Sequence, residues 1–306
     1  MPRRPVPGKP LLIAVVVAAF MLVEVLPAAA QPVTELPPCI TDDLREDAIK
    51  FKAEDGVELP GVVLGSGSTG VLLASSSSNS SCDWLPLAQE LADDGYQVLF
   101  YENRDFRLRD VRNAFDQDVL GAAKELERRG ASSIVAGGIA VSAAAVATVA
   151  GRIPGLKGMF LLSPYRAFYT RTSELDAVRG IGAVQVPSLI LVPEEKQPQD
   201  APEQVDAEED LEAPNLAEQA REVADAATNA TLESMPGELF FTTLDKHPDV
   251  RNRVRAFVRE TLPAPSFLDR WLGPIAGAVV LLAMVVAVVV VVRRSRPRRA
   301  ETVALD

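Results

Sequence analysis

Hydrolysis by side chains needs three groups within reach of one another: a nucleophile presented on a tight turn, a histidine to take its proton, and a carboxylate to orient that histidine. The 306-residue chain contains one histidine, His247, so any such centre must be built on it. Glu194 and Glu195 follow the apolar run Ser188 to Val192 and are the nearest carboxylates to the end of that run, with Lys196 directly after them. The candidate nucleophiles are serines, in the stretch Ser75 to Ser81 and at Ser142 within GGIAVSAAAV. That second segment, Gly138-Ile139-Ala140-Val141-Ser142, sets Ser142 in a small-x-Ser-x-small pattern, AVSAA. A lone histidine excludes His-based metal sites, the two cysteines match no zinc spacing, and no cofactor is expected.

The elements that must position these residues follow from pattern. FKAEDGVELPGVVLGSG reads as two strands joined by a turn at Asp55 and Gly56. VLLAS, Val71 to Ser75, is a short apolar run bounded by glycine and serines, as for a strand buried on both faces. A helix capped by Asp83, with Pro86 in its first turn and Leu87, Ala88 and Leu91 on one face, ends at Gly95. The alternation continues with a strand Gln97 to Tyr101, a helix from about Val111 to Arg129, and a strand Ser133 to Gly137. A small-residue helix Ala140 to Ala150 precedes strands Met159 to Leu162 and Ser188 to Val192. The acidic, proline-rich stretch 194–212 reads as a solvated loop, and its carboxylates match no EF-hand spacing. Asn215 with Glu218 opens a further helix in capping-box fashion, and a strand Thr231 to Ser234 and a helix Pro248 to Leu262 close the domain. Strands alternating with helices imply an α/β fold, with a mostly parallel central sheet and helices on both faces.

In their order these segments resemble an α/β-hydrolase domain. EDGVELPGVVL is similar to the opening hairpin of that family, DWLPLAQELADDGYQVLFYENR to its first helix and next strand, and RRGASSIVAGGIAVSAAAVATVA to the strand, nucleophile elbow and helix. VPSLILVPEEK resembles the strand leading to the catalytic acid, and DKHPDVRNRVRAFVRETL the histidine loop and last helix. The resemblance implies a hydrolase-like domain without a large cap. It also implies that Ala140 occupies the nucleophile position of Gly-x-Ser-x-Gly, Ser142 the second glycine, Lys196 the acid position, and His247 the histidine position. Ser75 and Ser76 fall on the oxyanion loop. No catalytic set is intact, so the expected product is a degenerate member, with an active serine hydrolase using Ser142 or a serine of the 75–81 loop as the alternative.

The termini set the compartment. Residues 1–30 carry Arg3, Arg4 and Lys9, an apolar run Leu11 to Val23 and then Ala28, Ala29 and Ala30, the layout of a signal peptide. Residues 31–262 form the exported domain and 263–270 a linker. Residues 271–292 begin at Trp271 and carry no charge from Ile275 to Val292, long enough to cross a bilayer. Arg293, Arg294, Arg296, Arg298 and Arg299 in the tail 293–306 put that end in the cytoplasm. A single-pass membrane protein with an extracytoplasmic domain is therefore expected, with the bilayer and an unknown protein or small molecule as partners. The formal net charge of −11, with many arginines in the terminal segments, makes a nucleic-acid partner unexpected. Cys39 and Cys82 both lie in the exported part, where an oxidising compartment favours their pairing.

Overall fold

The chain alternates short runs of Val, Leu and Ile with amphipathic segments, and the computed structural model turns that alternation into a layered α/β unit. It describes residues 39–75, 81–102, 104, 114–169, 173–194, 215–236 and 244–263, all within the compact unit Glu35–Asp306. Residues 1–30, Ser76, Glu195, Lys196 with nearly all of the acidic stretch, and the apolar run 271–292 lie outside the described residues. Among the described residues no helix is long and apolar enough to cross a membrane.

The described strands are β1 Ala48–Lys52, β2 Glu58–Leu64, β3 Thr69–Ala74, β4 Gln97–Tyr101, β5 Ser133–Ile139, β6 Leu156–Leu162, β7 Ala167–Tyr169, β8 Glu174–Asp176, β9 Ser188–Pro193 and β10 Ala230–Met235. Eight of them form one sheet in the order β1-β2-β4-β3-β5-β6-β9-β10, with β7 and β8 paired apart. β2 runs antiparallel to both of its neighbours, and every pair from β4 to β10 is parallel. The β1–β2 turn spans Ala53 to Val57, with Gly56 at φ 87°, so Asp55 and Gly56 sit in a five-residue connection rather than a two-residue one.

The described helices are α1 Leu85–Asp93, α2 Phe115–Arg128, α3 Val141–Val149, α4 Ala177–Gly182, α5 Leu216–Ala226 and α6 Pro248–Thr261. Two expectations need correction. Asp83 is not the cap of α1: a 3₁₀ turn Ser81–Trp84 runs into the helix and the cap residue is Trp84. Pro86 has no N–H to offer an Asp83 cap, which removes one of the two bonds such a cap makes. Helix α2 begins at Phe115, after Ala114 at φ −122° and ψ 64°, and the expected start at Val111 lies outside the described residues. Ala140 lies before α3, not in it. The Asn215 cap is as expected, its Oδ1 accepting from the Glu218 amide at 3.0 Å.

The sheet separates two apolar layers. On one face α2, α3 and α4 cover Leu72, Ala136 and Leu161; on the other α1 and α6 cover Val71, Val135, Phe160 and Leu191. Helix α3 approaches the sheet closely because its inward residues are alanines and because a Cβ on Gly138 would meet Ala143 N and the Ser142 carbonyl at 2.7 Å. Two charged anchors fix the periphery. Buried Arg104 donates from Nε to Asp118 at 2.9 Å and from Nη1 to Asp55 at 2.8 Å, joining the β1–β2 turn to α2. Burial pushes the Asp118 carboxyl up to about 6, against the pull of Arg104. On the opposite face Arg255 and Arg259 of α6 both bond Asp94 at the end of α1.

Candidate functional site

Where β5 gives way to α3, the backbone turns at one residue. Ala140 has φ 53° and ψ −116°, a region that a side chain makes costly by on the order of 1 to 3 kcal/mol. Three contacts hold it there. Its N–H donates to Leu162 O at 2.9 Å, its carbonyl accepts from Ala144 N at 3.1 Å, and Gly138 lets the first turn of α3 lie against the strand end. Gly137 is equally committed, since a Cβ there would fall 2.0 Å from the Phe160 ring. The strained strand-to-helix turn is therefore present in full, with a methyl group at its tip, and Ala140 as a whole is 4% exposed. The amide of Val141, first in α3, has no carbonyl four residues back within the helix.

Ser142 is fully buried, and its hydroxyl donates to the Ser75 carbonyl at the end of β3. Ser75 in turn donates from Oγ to Tyr101 O at 3.0 Å. The two serines thus tie the carboxyl ends of β3, β4 and β5 together. A residue that sequence pattern gave no reason to select sits alongside. Ser163, directly after β6, has φ 47°, is fully buried, and its Oγ has no hydrogen-bond partner. Its amide donates to Leu191 O at 2.8 Å. With Ala140 bonded to Leu162, the two non-glycine residues of positive φ among the described residues stand side by side at the carboxyl edge of the sheet.

Glu194 follows β9 at the same edge, exposed, its amide donating to Met235 O at 2.9 Å; Lys196 and Glu195 lie outside the described residues. His247 is the cap residue of α6, half-buried, its carbonyl accepting from Arg251 N at 3.1 Å. The preceding 3₁₀ turn Leu244–Lys246 is pinned by Arg251, whose Nη1 donates to Leu244 O at 2.5 Å. Cys39 and Cys82 are disulfide-bonded, with Cα atoms 5.6 Å apart. The bond fixes the 3₁₀ turn Ser81–Trp84 that follows β3, and the Ser81 amide donates to Glu102 Oε2 at 3.0 Å. Chemically, the described edge offers a strained turn without a nucleophile, two buried serine hydroxyls already committed to backbone carbonyls, and two, those of Ser81 and Ser163, that are not.

No family model and no curated protein matches the chain. Its architecture does match solved structures. The esterase domain of a Rhodothermus marinus protein superposes with a TM-score of 0.51 at 15% identity, covering 70% of this chain and 97% of that one. A thermophilic esterase from Thermogutta terrifontis gives 0.53 at 14%, covering 70% and 98%. The enol-lactonase from Burkholderia xenovorans gives 0.52 at 14%, covering 68% and 99%. At these identities the likeness concerns the fold: the chain has the α/β-hydrolase fold.

Proposed function

We propose, from a hydrolase fold whose elbow is intact and whose nucleophile is absent, that this protein binds a ligand or partner at the cell envelope without cleaving it. The observation that carries the reading is Ala140 at φ 53° and ψ −116°. The turn that aims a nucleophile is kept at an energetic cost, yet the side chain it aims is a methyl group. Ser142 does not supply the missing hydroxyl, being buried and bonded to Ser75 O. The anchored, exported placement rests on the signal-like residues 1–30, the apolar run 271–292 and the arginines after it. The Cys39–Cys82 disulfide supports an oxidising compartment.

Activity-based labelling tests this directly. The native protein should not react with a fluorophosphonate probe, whereas Ala140→Ser, which places a hydroxyl on the preserved turn, should. Labelling of the native protein would overturn the reading. The esterase neighbours then favour an active serine hydrolase, with Ser81 of the 75–81 loop and Ser163, whose Oγ atoms are both uncommitted, the first serines to map.

A further inference from the structure

Resting on the proposed membrane anchor, the path of α6 fixes which end of the domain meets the bilayer. The start of α6 lies at the carboxyl edge of the sheet: the 3₁₀ turn Leu244–Lys246 just before it packs against the turn Ser81–Trp84, which follows β3. Its other end lies at the amino edge. A Cβ on Gly158, near the start of β6, would lie 2.6 Å from the Thr261 methyl and 3.1 Å from Pro187 O, just before β9. Tyr96, just before β4, donates from Oη to Leu262 O at 2.5 Å. Arg255 and Arg259 bond Asp94 on the same side.

Helix α6 thus carries the chain about 21 Å, at 1.5 Å per residue, from the elbow edge to the opposite one. Between Leu262 and Trp271 stand eight residues, PAPSFLDR, which reach about 28 Å when fully extended. Turning the elbow edge toward the lipid would lift the exit point by the depth of the domain, about 20 Å at strand rise, and by the headgroup layer besides. The linker would then be stretched almost straight, at a loss of chain entropy that the opposite orientation avoids.

We infer that the carboxyl edge of the sheet, with Ala140 and Ser163, is held facing away from the bilayer, so that its ligand arrives from water and not from the lipid. The test uses the full chain reconstituted in phosphatidylcholine–phosphatidylglycerol vesicles that carry a short-range headgroup quencher. A fluorophore is placed through Lys157→Cys, exposed at the start of β6, or through Lys246→Cys, exposed just before α6. The expected result is about twofold or greater quenching at position 157 and none at 246, because the two stand about 20 Å apart along α6. Equal quenching at both positions, or quenching at 246 alone, overturns the inference while leaving the anchor intact. Failure of the protein to float with the vesicles overturns the anchor, and this inference with it. A flexible Gly-Ser insertion after Pro265 should erase the difference between the two positions without releasing the protein; a difference that survives the insertion would mean that the linker does not set the orientation.

Discussion

Replacing Ala140 by glycine separates backbone strain from packing. At φ 53° and ψ −116°, glycine is free of the Cβ clash, so the variant should recover about 2 kcal/mol of strain. Against this it loses about 0.8 kcal/mol of methyl burial and about 0.7 kcal/mol to a freer unfolded chain. The net expectation is a stabilisation of about 0.5 kcal/mol. Ala144 makes the control: it is also buried, one turn further along α3, within the helix. Ala144→Gly should destabilise by about 2 kcal/mol, from helix propensity and the lost methyl together. Urea unfolding of a soluble fragment ending at Pro265 can be followed by the fluorescence of Trp84, which is buried edge-on to Phe160. The chain has two tryptophans, and the fragment omits the other, Trp271. Equal losses in the two variants, within about 0.5 kcal/mol, would refute the argument that the turn is strained.

Other perturbations address the anchors around the site. The Cys39–Cys82 bond spans 43 residues of sequence, so Cys82→Ser should cost about 4 kcal/mol in the same urea assay, and a loss below about 1 kcal/mol would show that the bond closes little of the unfolded ensemble. Arg104→Met should destabilise by about 3 to 5 kcal/mol because it strands the buried Asp118 carboxylate, while the double change Arg104→Met with Asp118→Leu should be much milder; similar losses would mean that the pair itself, and not the stranded charge, sets the cost. Hydrogen bonds from Arg255 and then Arg259 hold Asp94 down at about 2, below its ordinary 3.8. A depressed carboxyl contributes stability above its unfolded value and loses it as pH falls through the folded one. With Arg259 half exposed, solvent screening limits the loss to about 1 kcal/mol between about pH 4 and pH 2. Asp94→Asn should flatten that part of the stability profile, and an unchanged acid limb would refute the clamp.

Much of the fold was legible because parallel strands buried on both faces announce themselves. Val71 to Ala74 and Gln97 to Tyr101 are short apolar runs between turn residues, while their parallel register against each other is set by the fold. The hairpin β7–β8 and helix α4 were not legible. Strands of three residues carry too little alternation to detect, and they exist because Phe168 and Leu175 pack on the layer under α3. The start of α1 was misjudged at Asp83 for a related reason, since the preceding turn is fixed by a disulfide and by Glu102, which lies 21 residues away from Ser81. At the site, the glycines before Ala140 and the small residues after it made the turn readable. Ser163 was hidden, because a positive φ on a serine after a strand leaves no mark in the sequence and arises only from how β6 meets β9 and β5. Arg104 and Asp118 were visible as charges, but their burial is a tertiary fact.

The way α6 is fastened also governs how the domain would answer a mechanical load. A pull on the chain beyond Pro263 is borne by the Leu262 carbonyl on the Tyr96 hydroxyl, by Arg259 and Arg255 on Asp94, and by Arg251 on Glu90. These fasteners lie in sequence along one helix, and a pull toward the edge where that helix ends runs along its axis, so they share the load as in shear and do not peel one after another. The last helix would hold until several of them fail together, and the turn before it, with His247, would move with it.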